Sequence, residues 1–329
     1  MESNILTVNQ AKKLYLKGSE LLIERKYPEA LNYYREAVEA NPHCMEAHLE
    51  MGYLLGTLEK YDQSLKSFEN ALEIKNSFPA FFGKGMSLFF MNKHEKAVES
   101  FLQALELGEN EDIWYYLASC QLLDDDPEEA IHSFNISISI DNDFIEAWND
   151  MGVAHSILDE HEYAQECFEQ SLRIDENYLP AIYNLGATLV DGGHYEDALP
   201  YLDQVLDQDE KHFKALFYKG NALYYLDKVE ESIEYFKEAL ILEKNQGELW
   251  NYLGYAQSSL GQNHEAIESL KKAIKICPEQ LSAHLNLAQV YLELGKLQNA
   301  RDLLEKVQKI APENEEARNL MEMLLEYGA

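Results

Sequence analysis

The feature that most constrains this 329-residue chain is an internal repeat of 33 or 34 residues. A bulky apolar residue lies sixteen positions after a small one in every repeat, with another small residue between them, as in Gly52, Ser64 and Phe68. Periods of this length are typical of solenoids, in which each structural unit contacts its neighbours. The first small residue of the pattern recurs nine times, as Gly18, Gly52, Gly85, Ala118, Gly152, Gly186, Gly220, Gly254 and Ala288.

Each repeat has the pattern of two helices joined by a short turn. In the eighth repeat, apolar residues recur at helical spacing over 250–257 and again over 266–274. The centre of the turn is Asn, Asp or Gly in seven repeats, and these residue types tolerate a positive φ. Arg25 and Glu59 occupy it in the first two repeats, where the turn is less well specified. Because one hairpin cannot bury its apolar face alone, we expect the hairpins to stack.

These residues resemble the tetratricopeptide repeat family, whose signature is W-x2-L-G-x2-Y, then A-x3-F, then P, at a period of 34 residues. Trp250-x2-Leu253-Gly254 matches the opening of the signature and Ala97-x3-Phe101 matches its middle. The closing proline is retained in three of the nine repeats. The resemblance implies an all-α fold, a right-handed superhelical solenoid of antiparallel helix hairpins.

The spacing predicts one continuous array without a linker or a second domain. We expect an N-terminal lead-in over residues 1–10 and nine tandem repeats over residues 11–314. A C-terminal capping helix is expected over residues 315–329, where apolar and polar residues alternate at helical spacing. The predicted repeats start near residues 11, 45, 78, 111, 145, 179, 213, 247 and 281.

The composition limits the function classes and the compartment. The net charge of -32 disfavours nucleic acid as a partner, because its phosphates would be repelled. We expect no membrane span, since every apolar run falls short of the roughly 18 residues that a span needs. The four scattered cysteines are typical of free thiols in a reducing compartment, and the sequence therefore predicts a cytoplasmic protein.

The negative charge is concentrated in the middle of the chain. Residues 109–212 contain 26 acidic side chains against two basic ones, Arg173 and Lys211. One interpretation is a docking surface that attracts a basic partner. The other is a solvated face that keeps the protein soluble. A run of charge does not by itself decide between the two.

The family resemblance implies that the first helix of each hairpin lines a concave groove. In the acidic third, the inward positions of these helices combine carboxylates with aromatic rings, a pairing that suits Lys or Arg side chains. The rings serve either partner binding or packing between repeats. The candidate partner-binding residues are Asp112, Tyr115, Tyr116, Glu146, Asp150, Tyr183, Asn184 and Asp191.

Two ligand classes known for the family fit this sequence poorly. Some members grip the acidic C-termini of chaperones with a clamp of Lys, Asn and Arg, and no window of this chain carries that set. Other members hold peptide backbone with a ladder of asparagines. Here Asn184, Asn251 and Asn286 offer such contacts, but the ladder is not continuous.

No catalytic or metal-binding constellation is evident. The His-Glu pairs lack the second histidine of a zinc protease, and Cys44 with His48 lacks the further ligands of a structural zinc site. We therefore expect a non-enzymatic interaction scaffold without a cofactor, which binds a partly basic protein or peptide in its groove. The alternative is a structural subunit that self-associates through the ends of the solenoid.

Overall fold

The structure, a computed structural model, describes residues 2–326, with side chains from residue 7 onward. Within this range it contains only helices and turns, which confirms the predicted all-α fold class. The nineteen helices are α1 Glu2–Ile23, α2 Tyr27–Ala40, α3 Met45–Thr57, α4 Tyr61–Ile74, α5 Phe78–Phe90, α6 His94–Leu105, α7 Glu111–Leu123, α8 Pro127–Ile140, α9 Ile145–Ile157, α10 His161–Ile174, α11 Leu179–Asp191, α12 Tyr195–Gln208, α13 Phe213–Tyr225, α14 Val229–Leu242, α15 Gly247–Ser259, α16 Asn263–Ile276, α17 Leu281–Glu293, α18 Leu297–Ile310 and α19 Glu315–Glu326.

The chain divides into two compact units, Met1–Glu160 and His161–Ala329. The first unit contains α1 to α9 and the second contains α10 to α19. Within each unit, every helix packs against the next one along the chain, and first helices of successive hairpins also contact one another, as α5 contacts α7. The first helices therefore lie on the inner side of each unit. Odd-numbered helices from α3 to α17 begin at the residues where the sequence places the repeat starts.

Helix pairing within a hairpin depends on a ring or a leucine that lies against a small residue, which is glycine in seven repeats and alanine in two. The Phe68 ring is buried directly over Gly52, where an added Cβ would lie only 2.8 Å from the ring. Tyr34 over Gly18 and Phe236 over Gly220 repeat this contact. The spacing of sixteen residues in the sequence thus separates two residues that contact each other across the hairpin.

In all nine repeats, the residue at the centre of the turn inside the hairpin adopts a left-handed conformation, with a positive φ. Arg25 and Glu59 adopt φ values of 58° and 57°, although the sequence indicated a less well specified turn at these positions. Packing of the helix pair imposes the turn even where the residue disfavours it. The other turn centres are Asn92, Asp125, Asp159, Gly193, Asp227, Gly261 and Gly295.

The two ends of the array differ from the regular repeats. Helix α1 begins at Glu2, so the described part of the predicted lead-in continues into the first repeat as one helix of 22 residues. At the other end, α19 packs on α17 and α18 and buries Ala317, Leu320 and Leu324. The last three residues of the predicted cap lie outside the described range.

Two glycines of the first unit provide a matched test of this packing. At Gly83, an added Cβ would lie 2.2 Å from the buried Phe68 ring, and we expect Gly83→Ala to destabilise the first unit by about 1–3 kcal/mol through overpacking. At Gly56, the nearest atom is Ser64 Oγ at 3.5 Å, and Gly56→Ala is expected to stabilise by up to about 1 kcal/mol. Hydrogen exchange of the α3–α5 amides measures both changes, and equal effects would contradict the packing argument.

The turn centres provide a second test. Arg25→Gly relieves a left-handed conformation that costs an L-residue roughly 1–2 kcal/mol, and we expect it to stabilise the first hairpin by up to about 1 kcal/mol. Gly261→Ala introduces the same cost at φ 70° and is expected to destabilise the eighth hairpin. Hydrogen exchange of the amides of each hairpin, followed as the urea concentration rises, measures the two changes in stability, which must have opposite signs.

Candidate functional site

In the first unit, the predicted acidic and aromatic residues meet between the inner helices α7 and α9. The Tyr115 hydroxyl on α7 donates a hydrogen bond of 2.9 Å to Asp150 Oδ2 on α9. Asn149 Nδ2 donates to the other carboxylate oxygen, Oδ1, also at 2.9 Å. Asp150 is therefore held in one orientation on the inner side of the unit, linked to the neighbouring repeat.

Partial burial makes this carboxylate costly to ionise. Burial raises the pKa of Asp150, and nearby Glu146 adds to the rise, whereas the hydrogen bonds from Asn149 and Tyr115 oppose it. The pKa of Tyr115 is also raised, first by burial and then by the charge of Asp150. The pair thus consists of a neutral phenol that donates to an incompletely solvated anion.

Three further predicted residues belong to the same group. Burial, followed by the charges of Glu111, Asp141 and Glu146, raises the pKa of Asp112. Burial and the charges of Asp112 and Glu146 raise the pKa of Tyr116. Within residues 2–326, no Lys or Arg side chain forms an ion pair with Asp112, Glu146 or Asp150. We name the set Asp112, Tyr115, Tyr116, Glu146 and Asp150 the acidic–aromatic cluster.

The rings of this cluster pack on the rings of neighbouring repeats. Tyr116 stacks on buried Phe101 at a centroid distance of 5.8 Å and contacts Phe82 at 6.1 Å. Tyr115 lies 4.9 Å from Phe144. Packing between repeats, one of the two roles expected for these rings, is therefore present in the structure. Both tyrosines nevertheless stay partly exposed, so each retains surface for contact with a partner.

The remaining predicted residues lie on α11, in the second unit. The ring of Tyr183 lies 5.0 Å from His212 and 6.2 Å from Tyr218. The Tyr218 hydroxyl donates to Asp191 Oδ2 at 3.4 Å, and burial raises the pKa of both tyrosines. Asn184 is next to Tyr183 on the same helix and is half-buried. This second group repeats the pairing of a tyrosine hydroxyl with a carboxylate across two inner helices.

Two residues outside the predicted set, Asn149 and Tyr218, form hydrogen bonds with the carboxylates of these two groups. Asn149 orients Asp150, and Tyr218 joins Asp191 to Tyr183. A signal for Tyr218 was present in the sequence, because it occupies the same position of its repeat as Tyr116. Asn149 occupies the same repeat position as Tyr115, but its hydrogen bond to Asp150 depends on a side-chain rotamer that the sequence does not give.

The structure gives less support to the asparagine ladder and to a metal site at Cys44 and His48. Asn286 Nδ2 donates to Asn251 Oδ1 at 2.9 Å, so two of the three ladder asparagines hydrogen bond with each other. His48 Nε2 lies 3.0 Å from the Pro42 carbonyl oxygen. In the described part of the chain, no three His, Cys, Asp or Glu side chains are arranged to hold a metal ion. Among the same residues, no helix is both long enough and apolar enough to cross a bilayer.

Comparison with known families decides how the fold is classified. Sequence profiles described as tetratricopeptide repeat match residues 15–77, 82–143, 145–178, 183–248 and 258–324. The chain belongs to the tetratricopeptide repeat family. Its inner helices therefore correspond to the first helices of tetratricopeptide hairpins, and proteins of this family mediate protein–protein interaction.

The individual relatives of this tetratricopeptide protein are distant. It is 34% identical over 76 residues to Hsp70-Hsp90 organizing protein 3 of Arabidopsis thaliana, a match that covers 23% of this chain and 14% of that protein. The solved structure of PilW, a type IV pilus biogenesis factor, matches with a TM-score of 0.60 and 21% identity, covering 64% of this chain and 98% of PilW. The Cut9–Hcn1 structure of APC/C matches with a TM-score of 0.60 and 13% identity, covering 96% of both chains. These structures are similar to this chain in fold.

The hydrogen bond between Tyr115 and Asp150 leads to a prediction about stability and pH. We expect Tyr115→Phe to destabilise α7–α9 by about 1.5–3 kcal/mol at pH 7, the usual value of a hydrogen bond to a charged group. Because the bond is strongest to the ionised carboxylate, the loss should shrink as the pH falls through the raised pKa of Asp150. Hydrogen exchange of the α7–α9 amides at several pH values measures this.

Tyr116→Phe is the matched control. Among the described residues, the Tyr116 hydroxyl has no hydrogen-bond partner, so its removal should change the same amides by less than about 0.5 kcal/mol at any pH. A Tyr115→Phe effect that equals the control, or that grows towards acid pH, would contradict the assigned bond.

Proposed function

We propose that this tetratricopeptide protein is a non-enzymatic scaffold that binds a basic segment of a partner protein at the acidic–aromatic cluster. The observation that carries the proposal is the set of partly buried carboxylates, Asp112 and Asp150 above all, that no cation of residues 2–326 neutralises. Family membership supplies the general role, protein–protein interaction. The charge and the rings of the cluster supply the proposed chemistry of the partner.

A basic side chain would relieve the electrostatic cost of the cluster. Burial and mutual repulsion both penalise the ionised carboxylates, so a Lys or Arg placed between them gains attraction and removes repulsion at once. The partly exposed faces of Tyr115 and Tyr116 add cation–π contact. Arg fits best, since its planar guanidinium both stacks on rings and pairs with a carboxylate through two hydrogen bonds.

The second unit offers a related but weaker surface at Tyr183, Asn184 and Asp191. There the carboxylate of Asp191 is exposed, so its charge is better screened by water and salt. We assign this group a secondary role in binding the same class of partner. The cytoplasm is the proposed location, because a reducing compartment suits Cys44, Cys120, Cys167 and Cys277, all of which are free thiols.

Selection from a random dodecapeptide phage library against the intact protein tests the proposal. We expect the enriched peptides to contain Lys or Arg and to bind more weakly as the salt concentration rises. Asp112→Asn combined with Asp150→Asn should weaken their binding at least tenfold, since two charge-assisted contacts are lost. Isothermal titration calorimetry measures the affinities.

The control is Asp124→Asn combined with Asp125→Asn. These exposed residues lie in the turn after α7, so the variant loses the same two charges without touching the cluster. Its affinity for the selected peptides should stay within about twofold of the original, because exposed charges are screened. Enrichment of peptides without basic residues, or equal weakening by both double variants, would contradict a specific basic-segment site.

A further inference from the structure

A cavity on the inner side of the first unit is not explained by the acidic–aromatic cluster. It has a volume of about 350 Å³ and lies between the second and third hairpins. The aromatic residues Tyr53, Tyr61, Phe68 and Phe90 line it, together with Met86. Ligand pockets of proteins begin at about 300 Å³, and an apolar cavity of about 150 Å³ already binds benzene.

The cavity exists because a side chain is missing at Gly56. Gly56 and Gly83 both line it. The position of Gly56 is occupied by a large apolar residue in six of the other eight repeats, and that of Gly83 by a larger residue in all eight. At Gly83 the Phe68 ring takes up the space, whereas at Gly56 the nearest atom to an added Cβ is 3.5 Å away.

The polar groups at the base of the cavity do not need a ligand. Ser64 Oγ lies 2.7 Å from the Gly52 carbonyl oxygen and 2.9 Å from Ser87 Oγ. Ser87 Oγ lies 2.9 Å from the Gly83 carbonyl oxygen. Because both hydroxyls are hydrogen bonded within the protein, the cavity favours an apolar occupant over a polar one.

A continuous row of rings connects this cavity with the acidic–aromatic cluster. Tyr61 stacks on Phe90 at 5.3 Å with their planes 14° apart, and Phe90 is 45% exposed. Phe90 lies 6.4 Å from Tyr116, which lies 5.3 Å from Tyr115 and so leads to Asp150. Added together, the distances along this row place the Asp150 carboxylate at most about 17 Å from Phe90, a distance that about five residues of extended chain would span.

We propose that the cavity holds one large apolar side chain, Phe or Leu, of the same extended segment whose basic residue pairs with the acidic–aromatic cluster, three to five residues away along that segment. The inference rests on the proposed function and names the partner more closely. Glu59 is the charged residue at the cavity, and Glu50 acts electrostatically on Tyr53, so the surroundings also favour a basic segment. The cavity selects the apolar residue of the segment, and the length of the row of rings sets the number of residues between it and the basic residue.

Synthetic peptides test the spacing. The peptides are twelve residues long and consist of serine and threonine apart from one Arg-Arg pair and one Phe. The number of residues between the Arg-Arg pair and the Phe varies from one to eight. Matched peptides have Ala in place of Phe. We expect the Phe peptides with separations of three to five residues to bind at least tenfold more tightly than their Ala counterparts. Affinity that is independent of the separation would overturn the proposal.

The Met86 methyl group reports on the cavity directly. In protein labelled with ¹³C at its methionine methyls, the Met86 resonance should move when a Phe peptide of optimal spacing binds, but not with the Ala peptide. Gly56→Leu fills the cavity and should abolish both the shift and the gain in affinity. Ser258→Leu places the same side chain at the corresponding position of the eighth repeat and should leave both unchanged.

The outcomes separate this inference from the proposed function. If Arg-Arg peptides bind through Asp112 and Asp150 but Phe gives no gain and Met86 does not respond, the cavity assignment is wrong and the basic-segment site stands. If no Arg-Arg peptide binds, the proposed function fails. In that case titration with N-acetyl-phenylalaninamide decides the apolar role alone, since an unmoved Met86 resonance rejects it as well.

Discussion

The contact on which the rest of the structure depends is the close approach of two helices at a small residue, glycine in seven of the nine repeats. In the second hairpin the Phe68 ring lies between Gly52 and Gly83, so it joins the two helices of its own hairpin and the first helix of the next. A side chain at either glycine would displace the ring. Because this single buried group fixes both the pairing and the stacking, the inner surface is free to vary between repeats.

That freedom explains how one fold carries two kinds of surface within the first unit. Inner positions outside the contact between ring and glycine hold carboxylates and tyrosines on α7 and α9, whereas Gly56 on α3 lies beside a cavity at a position where most other repeats have a large apolar residue. The charge of the cluster is costly because Asp150 is partly buried and has no cation beside it. In the proposed function, the choice of partner depends on what the inner positions add to the shared framework.

Prediction of the site from the sequence was limited by side-chain geometry. Helix phase placed Tyr115 and Asp150 on the same side of adjacent first helices, but the bond between them depends on rotamers. The cavity beside Gly56 was not foreseen, since a glycine in a pattern indicates either close packing or empty space. Gly83 and Gly56 look alike in sequence, and their surroundings show that only the first is filled by a neighbouring ring.

The sequence by itself determined the repeat length, the helix pairs and seven of the nine turn centres, because periodic burial and left-handed turns depend on residue types at fixed spacing. It also determined that most of the negative charge lies in residues 109–212. Only the tertiary structure decided that Tyr115 donates to Asp150 and that the row of rings from Tyr61 reaches Tyr116. Such contacts join residues some 25 to 35 positions apart, and their distances are set by how successive hairpins pack rather than by any local pattern.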